Sequence, residues 1–401
     1  MTESTAFLTS AQAAARLGVK PATLYAYVSR GLVVRHTSPD GRRSLFDPAD
    51  LDRLERRSAG RHASPSDVIV GSELALVDPA ERSLWYRGLD ALQLAREQSF
   101  EAVCALLWSS RGADTWHADA ATSRVAARSV AGLGRGATLV DRLSVCTSAI
   151  AGTHLVTGPR ELMASLVDVL PAVQPSGDER FSLRLWTSLT DRRPTDAWNR
   201  ALDATLSLLC APRLTNGSLA ARLAAQGGAP LPACVASAMY AAVAPVDAYV
   251  AIETALATAA TDGTMRAADA LDRDAWTAAF SRDPYRTGDP RTNVLLGLIA
   301  ECAPDDVAVA NALSDELRRR GADHPTASYA AAVLAWSSGM RPGSGAVIAR
   351  LANVAAWIAH ALEEYRMPTP YRPRLTYTGP APMRTAPRRT IDAVLSYLER
   401  E

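Results

Sequence analysis

The chain has 401 residues, 48% hydrophobic and 21% charged, with a formal net charge of +1. This is too long for one small domain and apolar enough for a large core, and the near-neutral balance excludes a protein that traps polyanions over its whole surface. No uncharged apolar run reaches about eighteen residues and no secretory leader pattern occurs, so neither a membrane span nor a signal peptide is predicted and a cytoplasmic location is expected.

Cys104, Cys146, Cys210, Cys234 and Cys302 fall in apolar, helix-like stretches with no Cys-x-x-Cys pair and no His–Cys spacing. They read as reduced core residues, and no metal site is expected. Basic residues are almost all arginine, Lys20 being the only lysine. Charge is uneven: Met1 to His62 holds ten Lys or Arg against six Asp or Glu, a local +4.

From Phe7, Leu8-Thr9-Ser10 precedes Ala11 to Leu17, then Gly18, then Pro21 to Val28. Ser10 or Thr9 can cap a first helix, Gly18 can end it in the left-handed conformation, and Pro21 suits the first turn of a second. Ala14, Leu17, Val19, Leu24 and Val28 then share inner faces, which is a helix-turn-helix pattern. Gly31 to Arg35 and Leu45-Phe46 flank Pro39-Asp40-Gly41-Arg42-Arg43, predicting a hairpin on an Asp-Gly turn, and Asp47-Pro48 opens a helix through Arg57.

This order, over residues 7 to 57, resembles the winged helix-turn-helix of the MerR class. The resemblance implies that the second helix enters the DNA major groove with Thr23, Tyr25, Tyr27 and Arg30 facing the bases, while Arg42 and Arg43 of the wing touch phosphate. The same module also fits a protein-interaction appendage; DNA binding is the preferred reading. The long dimerising helix expected after such a head is missing, because Ser58 to Ser66 is a Gly/Ser/Pro linker, so pairing of two heads falls to the body.

Beyond the linker, Asp67 to Gly71 and Leu74 to Asp78 read as short strands, and Trp85-Tyr86-Arg87-Gly88-Leu89-Asp90 as a turn leading into helices around Leu94 and from Phe100 to Trp108. From there to Glu364, apolar residues recur at three- and four-residue spacing between Pro and Gly breaks, predicting an all-α body of many helices. There is no internal repeat, and Thr376 to Arg389 is a Pro-rich stretch. Near the end, Trp357-Ile358-Ala359-His360-Ala361-Leu362-Glu363-Glu364 is followed by Tyr371-Arg372-Pro373-Arg374-Leu375-Thr376-Tyr377-Thr378-Gly379-Pro380.

These end motifs and the Tyr86-Arg87-Gly88 turn resemble the citrate synthase family over roughly 68 to 401. The resemblance implies a multi-helix, dimeric body over 67–401, with a large part (67–215 and 322–401) and a small part (216–321), behind a head at 1–57 and a linker at 58–66. It also implies a machinery in which an Asp base removes a methyl proton from acetyl-CoA and a His bonds the developing enolate, while a second His and three Arg hold oxaloacetate.

That machinery is altered position by position. The enolate histidine falls on Asp247, within Ala244-Pro245-Val246-Asp247-Ala248-Tyr249, where a carboxylate would repel an enolate. Ser281-Arg282-Asp283-Pro284-Tyr285-Arg286-Thr287-Gly288-Asp289-Pro290-Arg291 matches the family's segment with Arg282 in place of its histidine and Arg291 kept. Pro212 replaces the histidine before Thr215-Asn216-Gly217-Ser218. Ser328 replaces the base, within Thr326-Ala327-Ser328-Tyr329, and serine unaided is no base. Asn353 replaces the arginine four residues before Trp357, and Arg372, which in the family reaches into the partner's site, is kept. No histidine occurs between His154 and His324. His324 reads as a helix-start surface or capping residue and His360 as packed in its helix.

The expectation is a citrate synthase-like body with no catalytic residue intact at Pro212, Asp247, Arg282 and Ser328. It would bind an acyl-CoA or a small carboxylate through Arg282, Arg291, Asn353 and Arg372, and carry paired DNA-reading heads as a metabolite-responsive regulator. One alternative is a citrate synthase-type acyltransferase on acetyl-CoA plus oxaloacetate or a related 2-oxo acid, acting alone or in a hetero-oligomer with a complete homologue. In it, Asp247 would be a relocated base and Arg282 the electrophile. Another is a purely structural subunit. No covalently bound cofactor is expected, and the partners are a second copy or homologue, DNA, and the acyl-CoA or carboxylate.

Overall fold

The computed structural model describes residues 7–16, 24, 27–28, 33–38, 44–48, 51, 70–110, 116–134, 136–153, 155, 157–174, 180–242, 246–369 and 371. The chain divides into two compact units, residues 71–370 and a smaller one made of residues 1–70 with 371–401.

In the smaller unit, β1 (Leu8–Thr9), α1 (Ser10–Arg16), β2 (Arg35–Thr37) and β3 (Ser44–Phe46) follow one another. The strands form an antiparallel sheet in the order β1-β3-β2, with Leu8 and Arg35 both opposite Phe46. The two strands of the predicted wing hairpin therefore pair, although the first begins only at Arg35, after Val33 and Val34, and Leu8-Thr9 adds a third strand that a reading of these residues as a helix cap alone does not foresee. Thr9 does both. Its hydroxyl accepts from the Gln12 backbone at 3.4 Å while Gln12 Oε1 accepts from the Thr9 backbone at 3.0 Å, a reciprocal cap of α1. Ala13, Ala14, Leu24, Val33, Phe46 and Leu51 form a small core, with Leu8, Tyr27 and Val28 packed against it. Leu17, Val19, the Asp-Gly turn and the linker at 58–66 lie outside the described residues.

The larger unit opens with a three-stranded meander of β4 (Ala75–Asp78), β5 (Ser83–Tyr86) and β6 (Leu89–Asp90). Trp85 and Tyr86, read as part of a turn, belong to β5; the turn itself is Arg87-Gly88, both at positive φ. Asp90 caps α2 (Ala91–Glu97), accepting from the backbones of Leu92 and Gln93 at 2.8 and 3.2 Å.

Helices then fill the body: α3 (Phe100–Trp108), α4 (Ala120–Ala131), α5 (Leu139–Ala151), α6 (Pro159–Asp168), α7 (Phe181–Leu189), α8 (Asp196–Leu209), α9 (Asn216–Gln226) and α10 (Leu231–Ala241). They continue as α11 (Val246–Asp262), α12 (Thr264–Ala270), α13 (Arg273–Ala279), α14 (Pro290–Ala300), α15 (Pro304–Arg319), α16 (Ala327–Ser337) and α17 (Ser344–Arg366).

The organising element is α17. It is long and apolar enough to cross a membrane, yet most of it is buried inside the body. It packs against α8, α9, α10 and α16, while α11 packs against α12, α13, α15 and α16. Its first turn lies so close to α11 that a Cβ on Gly345 would stand 2.8 Å from Tyr249 Cδ1 and 3.2 Å from Ala332 Cα. Glu253 of α11 holds that turn, accepting from the backbones of Gly343 and Gly345 at 2.7 and 3.0 Å. At the other end of α17, Arg222 of α9 bonds Glu363, Glu364 and His360 in the interior. Glu363 also accepts from Ser72 Oγ at 2.8 Å and from the Glu73 backbone at 2.7 Å, which ties the segment before the sheet to the core.

Candidate ligand cleft and DNA-reading head

Three groups of the residues singled out in sequence come together. The first gathers at the start of α11. Asp247 lies exposed in the first turn of that helix. Ala248 and Tyr249, next in the chain, adjoin Ser328 of α16. Burial pushes the Tyr249 phenol above its ordinary pKa, and the adjoining Ser328 side chain opposes the shift. Burial also raises the Glu253 carboxyl, one turn on, to about 7 against the pull of the Gly343 and Gly345 amides. Both its oxygens are taken by those amides, so it offers no open base to a ligand.

Arg350 joins this first group and has no counterpart in the sequence reading. It is 4% exposed, donates through Nη2 to the Ala242 carbonyl at 2.8 Å, and leaves Nε without a partner. Its guanidinium carbon lies 5.4 Å from the Trp357 ring centre. Burial lowers its pKa, with Tyr249 opposing. The signal was available: Arg350 is seven residues before Trp357, hence two turns away on the same helix face. Asn353, chosen on motif spacing, is exposed instead.

The second group surrounds Arg282. Its Nε donates to Asp323 at 2.6 Å, with both side chains largely in solvent. Arg213 bonds Asp283 at 2.9 Å. Arg282 and Arg286 line an open cleft of about 670 Å3 together with Pro79, Asp283 and Pro284.

The third group is closed. Arg291 points its Nε and Nη2 at the two oxygens of Asp289, at 2.9 and 2.7 Å, and its Nη1 at the Leu208 carbonyl at 3.3 Å. Burial alone would lower its pKa, but the Asp289 carboxylate outweighs this and raises it. Asp289 also accepts from the Ala327 backbone at 3.2 Å, so one carboxylate fixes both Arg291 and the start of the helix that carries Ser328.

Pro212 is buried ahead of α9. The α9 backbone approaches α17 closely at Gly217, where a Cβ would stand 2.8 Å from Trp357 Nε1. His360 is packed, as its helix context predicts. Burial and then Arg222 lower its pKa to about 3, with the backbone of Arg213 and Pro212 pulling the other way. His324 stands before α16 among arginines, with its pKa lowered by burial, Arg318 and Arg282. The described cysteines are free, and the described residues contain no cluster of metal-ligand type.

In the head, Tyr27 is half-buried against the small core. Thr23, Tyr25, Arg30, Arg42 and Arg43 lie outside the described residues, as do Arg372 and His154.

Residues 66–374 match the family model described as citrate synthase, C-terminal domain, and residues 7–58 match one for a helix-turn-helix domain. The chain belongs to the citrate synthase family and carries a helix-turn-helix domain at its N-terminal side. A comparison with curated proteins finds no significant match.

Among solved structures, citrate synthase from Thermotoga maritima aligns at 19% identity and a TM-score of 0.62, over 80% of this chain and 96% of that one. The Thermoplasma acidophilum enzyme, in a ternary complex with carboxymethyl coenzyme A and oxaloacetate, aligns at 18% and 0.61, over 83% and 99%. Citrate synthase from Pyrobaculum aerophilum aligns at 17% and 0.57, over 89% and 98%. The likeness establishes the fold of the body.

Proposed function

We propose that this protein is a ligand-responsive DNA-binding regulator built on a citrate synthase body that does not make citrate. The observation that carries the reading is the chemistry at the start of α11. Asp247 is exposed at the start of the helix whose next residues, Ala248 and buried Tyr249, adjoin Ser328. Removing a methyl proton from a thioester needs a positioned base and a donor to the enolate oxygen. A carboxylate at Asp247 opposes the second role, and a serine with no base beside it does not fill the first.

The ligand is an acyl-CoA or a small carboxylate, and the cationic cleft of Arg282 and Arg286 supports that class. A solved structure of the same fold is a ternary complex with carboxymethyl coenzyme A and oxaloacetate. In this reading Arg372 completes the cleft from a second copy, and Arg291 acts by holding the frame around Asp289. The body, with residues 216–321 as its small part, is a cytoplasmic homodimer that pairs two heads across a two-fold axis.

A thiol-release assay with acetyl-CoA and oxaloacetate at high protein concentration is expected to show no turnover. A gel-shift titration with the DNA upstream of the protein's own gene is expected to show binding that acyl-CoA or a dicarboxylate alters. Turnover that persists through purification and is lost in Asp247→Ala would replace this reading with that of an acyltransferase.

A further inference from the structure

Arg82, Arg318 and His324 converge on a polar cleft that neither Asp247 nor Ser328 lines. It measures about 440 Å3 and includes Asn311, Ser314 and Asp315 of α15, Thr292 of α14, and Thr287, Gly288 and Asp289 before it. A Cβ at Gly288 would lie 3.6 Å from His324 Nδ1 and 3.8 Å from Arg82 Nη2, so imidazole and guanidinium meet over a position without a side chain.

Local charge is unbalanced. Asp289 is matched by Arg291 at 2.7 Å, Asp323 by Arg282 at 2.6 Å, and Asp315 lies 3.8 Å from Arg318. Arg82 has no carboxylate partner among the described residues; its Nε donates to the Gly288 carbonyl at 3.2 Å. Its backbone has φ 51°, a strained region for a residue with a side chain and one that tends to mark ligand-binding positions.

The charged groups around His324 are Arg318 and Asp315 from α15, Arg282 and Asp289 from the segment before α14, Arg82 from the β4–β5 turn, and its neighbour Asp323. Burial and then the arginines keep the imidazole below its ordinary pKa, so an anion seated among them would restore its proton.

We infer that this cleft binds the phosphate group of a small ligand, and that His324 takes up a proton when it does so. Two guanidinium groups, an imidazole and several amide and hydroxyl donors around one cavity suit a tetrahedral anion with several oxygens better than a two-oxygen carboxylate. The site goes beyond the regulator reading, whose ligand lies at the Arg282–Arg286 face.

Calorimetric titration of the intact protein with sulfate, a dianion at every pH used, tests the inference. One site per chain is expected. Affinity should rise severalfold from pH 8 to pH 5.5, toward a limit of about tenfold if the anion raises the His324 pKa by about one unit. The heat should vary with the ionisation enthalpy of the buffer, reporting proton uptake. Arg82→Gln should weaken binding by about tenfold. His324→Gln should leave weaker binding without pH dependence. Arg319→Gln, on an exposed arginine paired with Glu316, should change nothing.

Thermal unfolding of each variant separates lost binding from lost folding. Tighter binding of glycerol phosphate than of inorganic phosphate at one pH identifies a phosphorylated metabolite, and equal affinity identifies free phosphate; either supports the site. Absence of sulfate and phosphate binding at millimolar concentration, a preference for succinate, or binding that both cleft variants leave unchanged overturns it. DNA binding by the head is measured separately, so failure of one reading leaves the other standing.

Discussion

Arg222 and Glu364 meet at 2.8 Å in the interior, with side chains 1% and 0% exposed, and Glu363 and His360 complete the circle around the same guanidinium. A buried cation shared by two carboxylates contributes little net stability against an apolar substitute of all its members, but removal of one member strands the others. Arg222→Met should therefore cost about 3–5 kcal/mol, the range for breaking a buried ion pair. Urea unfolding checks this, and an unchanged midpoint would show that the cluster rearranges.

The same cluster gives the protein an acid limit. The His360 imidazole, lowered to about 3 by burial and Arg222, binds fewer protons folded than unfolded. The stability it contributes is present above about pH 6.5 and is lost as pH falls toward about 3. Thermal scans should show a falling melting temperature over that window, with the His360 imidazole neutral by NMR at pH 5.

Asp203 shows the opposite sign. It is buried near Glu101, and burial followed by that second carboxylate raises it from 3.8 to about 7. Such a group binds more protons folded than unfolded, so its contribution is full below about pH 4 and lost as pH rises through about 7. Asp203→Asn, which keeps an oxygen for the Phe100 amide, should stabilise the protein at pH 8 by about 1–2 kcal/mol and have little effect at pH 4. A lower melting temperature at pH 8 would refute the raised carboxyl.

Gly345→Ala tests the approach of α17 to α11. The new methyl would stand 2.8 Å from Tyr249 and 3.0 Å from Glu253 Oε1, and overpacking of that kind costs about 1–3 kcal/mol. Disturbing the Glu253 cap adds to the cost. Amide exchange at the start of α17 should accelerate more than at its end.

Arg282→Ala should separate binding from folding. The Arg282–Asp323 pair is exposed, and exposed pairs are worth about 0–1 kcal/mol, so the melting temperature should hardly move. Thermal stabilisation by acyl-CoA or dicarboxylate should fall. An unaltered ligand effect would move the binding face away from Arg282.

The multi-helix body was legible because apolar spacing and end motifs act locally, and α17 announces itself through Trp357 to Glu364. Leu8-Thr9 as a strand was not: two residues carry no periodicity, and only their pairing with Leu45-Phe46 defines them. Motif spacing singles out Asp247, Ser328 and Arg282 but could not show that Ser328 adjoins Tyr249 or that Arg282 leans on Asp323, since those partners come from distant segments. Arg350 escapes motif spacing because the spacing points four residues before Trp357, to solvent-exposed Asn353, and not seven. The cleft of Arg82, Gly288 and His324 joins segments more than two hundred residues apart, which no linear pattern reports.

The bonds of Arg291 to Asp289 and Leu208 give the Asp-Pro-Arg sequence a structural task of its own. The aspartate pins two helix starts and the arginine neutralises it in the interior, so folding alone is reason enough for those three letters. Their presence in a chain therefore says more about masonry than about turnover.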